Sequence, residues 1–353
     1  MKNTEIESLQ QQDQCASQQR SDQCASQQRS DQCASQHWSR QKEKAAGYWL
    51  VKFTLVLFRI FPVIILRLLA FPVGFFYFVF SQKSRAVSKL FLDRAAPFVS
   101  NVKTARKCQS PFAPLRHIVS FSLTLVEKFE SWGGKFPFKD IKFQDDGIGE
   151  LIVDLEKGNG VFLFTSHLGN TELLRGLAGS GKTGVSRKIP MTAIVDMQVS
   201  GNFSRVIREL NPQYAFDILA PGEIGPGAAM LEEKLISGGI VTIAGDRTSA
   251  EAGEKIITLP FLGKDAPFSL GAFYLAALMK APVYFVFALR RKDLSLKPEY
   301  NMHVHKFPLS PADGRKERFR QSSAMAGAFA SLLESHLKEQ PFQWYNFFDF
   351  WSK

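Results

Sequence analysis

Cysteine is scarce in these 353 residues, and its placement argues against a structural role. Of four cysteines, Cys15, Cys24 and Cys33 recur at one phase of a nine-residue unit, DQCASQQRS, and Cys108 stands alone. That pattern implies no disulfide framework. Evenly spaced thiols in a polar tract also lack the clustering with histidine that a zinc site needs. Zinc-finger spacing, a basic helix and an RNA-binding signature are all missing, so nucleic acid is not expected as a partner despite 44 Lys and Arg against 33 Asp and Glu. MKNTEIESLQ has no apolar core behind a basic start, and no signal peptide is expected. Residues 1–37 hold almost no large apolar side chains, have nothing to bury, and are expected to form a disordered tail.

What the chain does have is apolar bulk and positive charge. Hydrophobic residues make up 45%, with 32 Phe, enough to bury one sizeable α/β core. The net charge of +11 calls for an acidic partner, and anionic lipid headgroups or an acidic carrier protein suit it. Gly47 to Phe80 is long enough to cross a bilayer but carries Lys52, Arg59 and Arg67. At helical periodicity these cations fall within about a quarter turn of one another. Such a stripe argues for a helix lying in the membrane interface about as strongly as length argues for spanning. A buried helix of a soluble core is disfavoured, because it would leave the cations unpaired. Between Ser81 and Arg116 stand eight Lys or Arg and one acid, Asp93, which places this side in the cytoplasm by the positive-inside rule. The chain thus divides into the tail at 1–37, a membrane-associating helical segment at 38–82, and a folded domain at 83–353.

Within that domain, helical patterns at 111–131 and 146–157 precede alternating strands and helices. Strands are expected at 161–166, 190–196, 215–220, 240–245, 283–290 and 301–307, and helices at 200–210, 224–237, 268–280 and 317–339. The alternation predicts an α/β fold with a mostly parallel central sheet flanked by helices and reactive residues at strand ends.

VFLFTSHLGNTELLR, Val161 to Arg175, concentrates the chemistry. VFLFTS reads as a strand covered on both faces, and Gly169 and Asn170 break it before an amphipathic helix. His167 then sits in the loop leaving the strand. Asn170 is a plausible N-cap, and Glu172 falls in the first helical turn, where the dipole favours its ionised form. A carboxylate there can hold one imidazole nitrogen while the other takes a proton from an attacking hydroxyl, and the first-turn amides can receive an oxyanion. A capped helix with a satisfied loop histidine explains the same spacing without chemistry.

Together with HLGNTE and Arg175, the basic-aliphatic amino-terminal segment, the GDR triplet at Gly245 to Arg247 and FLGKDAPFSLGAF at 261–273 resemble the lipid A biosynthesis late acyltransferase family, a branch of the HX4D/E glycerolipid-type acyltransferases. The resemblance runs from about Trp38 to the carboxyl terminus. It implies a glycerolipid acyltransferase-like fold in the bacterial inner membrane, with its catalytic domain on the cytoplasmic side. It also implies transfer of a fatty acyl group from an acyl carrier protein thioester, or acyl-CoA, to a hydroxyl of a membrane lipid or glycolipid, with no metal or redox cofactor. His167 matches the family's base and Glu172 its acidic partner. Gly169, Asn170, Arg175, Asp246 and Arg247 are expected on the substrate side. Arg247 suits a phosphate, and Arg175 either the same anion or the Glu172 carboxylate. FLGKDAPFSLGAF is expected to form a turn leading into a helix, with Gly263 and Gly271 allowing close packing. The aromatic ending QPFQWYNFFDFWSK carries Asp349 where a more basic ending is expected, which leaves the acceptor open.

Two other functions compete. GLAGSGKT, Gly176 to Thr183, satisfies GxxxxGK[ST], and Asp246 ends a strand that suits a nucleotide hydrolase. A phosphate-binding loop needs a strand before it and a helix after it, whereas here a helix is expected before it and a turn after. An inactive lipid-binding membrane protein is the third reading, and it would tolerate loss of His167.

Overall fold

Eight consecutive apolar or shielded residues, Val283–Arg290, form a strand with every residue buried, as a central strand covered on both faces must be. It belongs to a computed structural model that describes residues 56–58, 60–144, 147–180, 184–187, 189–195, 217–220, 224–248, 255–310 and 312–352, without the side chains of 175, 179, 180 and 224–226. The Cys repeats, Lys52, Arg59 and the helix expected at 200–210 lie outside the described residues.

Among the described residues the central sheet has seven strands in the order β1-β9-β8-β2-β5-β3-β4. These are β1 (Ile141–Phe143), β2 (Val161–Thr165), β3 (Met191–Ile194), β4 (Asp217–Leu219), β5 (Ile240–Ala244), β8 (Val283–Arg290) and β9 (Tyr300–Phe307). All neighbours pair in parallel except β8 with β9, so the expected mostly parallel α/β sheet is present. Alternation along the strands splits the core in two. Phe162, Phe164, Phe285 and Phe287 face one side, and Val161, Leu163, Tyr284 and Val286 the other. The first face is covered by helices α8 (Leu270–Met279) and α9 (Arg315–Glu339), whose Phe273 and Phe329 pack on Phe164. The second is covered by α5 (Gly147–Glu156) and α6 (Glu172–Ser180).

FLGKDAPFSLGAF differs from expectation. It is not a turn and helix alone but half of a β-hairpin, β6 (Ile256–Phe261) with β7 (Lys264–Ser269), running into α8. Leu262 and Gly263 turn the chain with φ of 48° and 73°, the two positive angles of a type I′ hairpin turn. Gly263 is also a close approach, since a Cβ there would stand 2.6 Å from the Phe98 ring. Gly271 meets no such neighbour.

The apolar segment forms α1 (Val63–Phe80), a helix of 18 residues with Pro62 just before it and Pro72 inside it. At 1.5 Å per residue it is about 27 Å long, close to the thickness of a bilayer's hydrocarbon layer. Leu66, Ala70 and Gly74 form its one buried stripe. That stripe packs on α4 (Ala113–Trp132), so tightly that a Cβ at Gly74 would come within 2.9 Å of Val119. Leu68, Leu69, Val73, Phe75, Phe76, Tyr77 and Phe80 remain exposed. Arg67 corrects the reading of the cation stripe, because it forms a two-pronged ion pair with the buried Glu130 of α4, its Nε 2.7 Å from Oε1. A second buried network, Arg290 with Glu127 and Tyr300, ties β8 and β9 to the same helix.

Candidate active site

The loop after β2 is held by the main chain on both sides. Gly169 bridges Ala288 of β8, and Leu168 bridges Trp344. Gly169 has φ of 77°, and a Cβ there would sit 1.9 Å from the Ala288 carbonyl oxygen. Only glycine permits this path. The Gly169 amide donates to the Gln343 carbonyl and the Asn170 amide to the Ala288 carbonyl, each at 2.8 Å.

So fixed, the loop presents His167 to Asp246, the residue after the end of β5 and its following Gly245. His167 Nδ1 lies 2.9 Å from Asp246 Oδ1, and the His167 backbone amide donates to Oδ2 at 2.7 Å. The indole Nε1 of Trp344 donates to that same Oδ2 at 2.8 Å. Asp246 is wholly buried, and His167 keeps about a third of its side chain exposed (31%). Burial alone would raise the Asp246 pKa, but the imidazole, indole and amide on its oxygens outweigh that and hold it below the ordinary carboxylate value. Burial in the crowded site, aided by the Arg247 charge, holds His167 below its usual 6.5, and Asp246 only partly opposes the shift. The pair is therefore an ionised carboxylate and a neutral imidazole near pH 7. With Nδ1–H donated to the carboxylate, the lone pair falls on Nε2.

Glu172 stands elsewhere. As the first residue of α6, it accepts from the Trp132 indole Nε1 at 3.0 Å, and Ser131 Oγ donates to its carbonyl at 3.3 Å. The place at Nδ1 that the five-residue spacing suggested for Glu172 is occupied by Asp246, because the sheet brings β5 alongside β2 while the helix carries Glu172 toward α4. Asp246, expected on the substrate, has both oxygens engaged by protein donors and no exposed surface. Asn170 does not cap α6 with its side chain. Its carbonyl takes the Leu173 amide at 3.3 Å, and its buried side-chain amide has no hydrogen-bond partner among the described residues. With the Gly169 and Asn170 amides also spent on main-chain carbonyls, these two residues shape the loop.

Arg247 lies half-buried beside the pair, its Nε donating to Asn346 Oδ1 at 3.3 Å and its guanidinium over the Phe348 ring at 5.5 Å. Arg175 is placed within α6, and its side chain lies outside the description.

Sequence reasoning missed the carboxyl-terminal segment. Trp344 holds Asp246, the Tyr345 amide donates to the His167 carbonyl at 3.0 Å, and Gln343 clamps the main chain at Arg290. The segment is in turn held by α4, where His117 Nε2 meets the Trp344 carbonyl at 2.9 Å and Ser120 and Thr124 both meet the Tyr345 hydroxyl. Burial pushes His117 down to about 4, so it stays neutral as this network requires. The only signal was two polar amides, Gln343 and Asn346, set among an unusual density of aromatics.

The glycine-rich GLAGSGKT does not have the order of a phosphate-binding loop. Helix α6 ends at Ser180, Gly184 has φ of 78°, and the chain next forms strand β3 at Met191. Residues 181–183 lie outside the described residues.

A family model for bacterial lipid A biosynthesis acyltransferases matches residues 34–353. The chain belongs to that family. No curated protein matches it. Membership makes it an acyltransferase with a lipid acceptor, and the match takes in the apolar helix α1, the His167 loop, the GDR turn and the aromatic carboxyl terminus together.

Proposed function

We propose that this acyltransferase moves a fatty acyl group from an acyl carrier protein thioester, or acyl-CoA, to a hydroxyl of a lipid or glycolipid at the cytoplasmic face of the bacterial inner membrane, with His167 as general base and Asp246 as the carboxylate that orients it. The single observation carrying this is the His167 Nδ1 to Asp246 contact of 2.9 Å, with the rest of the imidazole partly exposed. In the reaction, Nε2 takes the proton of the acceptor hydroxyl as its oxygen attacks the thioester carbonyl carbon. The tetrahedral oxyanion collapses with cleavage of the carbon–sulfur bond. The imidazolium returns its proton to the departing thiolate, giving ester and free thiol. Buried Asp246 stabilises the imidazolium formed on the way and keeps the tautomer correct throughout.

Arg247 and Arg175 are assigned to phosphate, on the carrier's prosthetic arm or the lipid headgroup, since guanidinium grips phosphate through paired hydrogen bonds. Membrane attachment rests on the exposed apolar face of α1 and the eight cations that follow it between Ser81 and Arg116. Lipid mass spectrometry of a deletion strain complemented with wild type or His167→Ala is the test. The wild-type gene is expected to restore an acylated lipid that His167→Ala does not, and the restored species names chain and acceptor. Full restoration by a stably expressed His167→Ala overturns the mechanism.

A further inference from the structure

Among the described residues, one group of side chains outside the acyl-transfer site is arranged like a set of metal ligands. His303 and His305 are two apart on β9, so strand alternation puts them on the same face of the sheet. His336 comes from α9, which packs over that face. One nitrogen of each ring lies within 4.8 Å of one from each of the others. Ring centroids are 4.4 Å apart for His303 and His336, 5.7 Å for His305 and His336, and 6.4 Å for His303 and His305.

We propose that His303, His305 and His336 form a binding site for a first-row divalent cation of the zinc class, clamping α9 to β9. Three imidazoles are a borderline-soft donor set, suited to Zn²⁺, Co²⁺ or Ni²⁺ rather than Mg²⁺ or Ca²⁺. A second, independent observation points into the cluster. His336 is 7% exposed, and its Nε2 is buried without a hydrogen-bond partner. A buried polar nitrogen left unsatisfied carries a desolvation penalty that a metal bond removes.

The required movement is small. Tetrahedral zinc with bonds of about 2.0–2.1 Å places ligand nitrogens roughly 3.3 Å apart. His303 and His305 are only half-buried and can rotate inward toward the fixed His336. Three protein ligands leave a fourth position for water. The benefit is mechanical, since α9 ends at Glu339 and the chain runs directly through Pro341–Gln343 to Trp344, the residue that holds Asp246. A clamp at His336 steadies the stem of that segment. The alternative is a stack of neutral histidines packed beside Phe287, whose ring is 4.8 Å from that of His336.

The test uses the full chain, purified in detergent without a polyhistidine tag and carrying Cys15→Ser, Cys24→Ser and Cys33→Ser to remove competing thiols. Co²⁺ is titrated and followed by its visible d–d absorption, then displaced by Zn²⁺, and thermal unfolding is recorded with and without Zn²⁺. One equivalent of Co²⁺ with nitrogen-type bands is expected, along with a rise in melting temperature on adding Zn²⁺. In a His303→Gln/His305→Gln double variant that melts normally without metal, affinity is expected to fall at least tenfold and the thermal gain to vanish. Absence of the Co²⁺ spectrum, or a loss of affinity below tenfold in the double variant, overturns the proposal. Because this readout needs no acyl transfer, its failure is independent of the proposed activity.

Discussion

His167 and Asp246 meet because each lies two residues beyond a register pair, Thr165 opposite Ala244 on neighbouring parallel strands, so that a separation of 79 positions along the chain collapses to a contact of 2.9 Å. The Gly245 amide donates to the Thr165 carbonyl at 2.8 Å and continues the pairing past the strand ends. The carboxylates of Asp246 and Glu172 are therefore expected to behave differently on substitution. Asp246→Asn should lower kcat by about 10³-fold or more, as loss of the orienting carboxylate does in comparable dyads. It should also move the acid limb of the pH profile downward, because the charge that favours imidazolium is gone. Glu172→Gln, which changes the group bonded to Trp132, should leave that limb in place. Steady-state kinetics of the purified variants across pH separate the two, and an acid limb that follows Glu172 instead reverses the assignment.

Under the proposed mechanism, Arg247 sets the pH at which His167 stops acting as a base. Its positive charge works with burial to hold His167 below 6.5. The wild-type kcat/KM should therefore be flat around pH 7 and fall only as pH drops through the lowered value, where the imidazole becomes protonated and stops accepting. Removing the charge in Arg247→Gln should raise the His167 pKa and shift the acid limb to higher pH, whatever happens to KM. A limb that stays put or moves down would separate Arg247 from the base.

How much of this was legible in the sequence depends on the range of the interactions. Strands β2, β5 and β8 and helices α7 (Ile224–Ile236), α8 and α9 were readable to within about two residues, because a strand or helix covered by the core writes its period locally. The hairpin at 256–269 was not. Its Pro260 and Pro267 suppress a strand reading, and Leu262 at positive φ is an uncommon turn residue. The place of His167 in the loop leaving β2 was legible from the strand-to-loop break. Its carboxylate was not, because a five-residue spacing offers Glu172 as a local candidate whereas strand order, which decides the partner, is a nonlocal property. Arg67 failed in the same way, since its cation looks unpaired until α4 brings Glu130 to it 63 residues later.

Trp344 donates a hydrogen bond to a carboxylate oxygen that is wholly buried. Trp344→Phe keeps the ring packed against Phe91, Phe261 and Phe350 and removes only the donor. The expected cost is about 1–3 kcal/mol of stability, from the acceptor left short of a partner. Activity should drop roughly tenfold, because the orienting carboxylate gains freedom and a higher pKa. Urea unfolding and kcat on the same preparation check this. A stability loss with unchanged kcat would make Trp344 a core residue only.

Helix α1 is attached to the catalytic domain by a narrow seam, and the seam can be cut in two chemically distinct ways. A Cβ at Gly74 would come within 3.0 Å of both the side chain and the backbone of Val119, so Gly74→Leu forces the helices apart by steric overlap. Arg67→Ala removes the ion pair and leaves Glu130 buried and uncompensated. Breaking such a pair from one side costs about 3–5 kcal/mol. That cost has a pH signature. Burial already lifts Glu130 to about 7 even with Arg67 present. Losing the guanidinium raises it further, so between that higher value and about 7 the variant's Glu130 takes up a proton in the folded state that wild type does not, and the variant's deficit relative to wild type shrinks as pH falls through that range. Gly74→Leu alters no charge and should lose stability equally at pH 6 and pH 8. Thermal unfolding in detergent at both pH values distinguishes them, and a pH-independent deficit in Arg67→Ala would place the energy of the seam in packing alone.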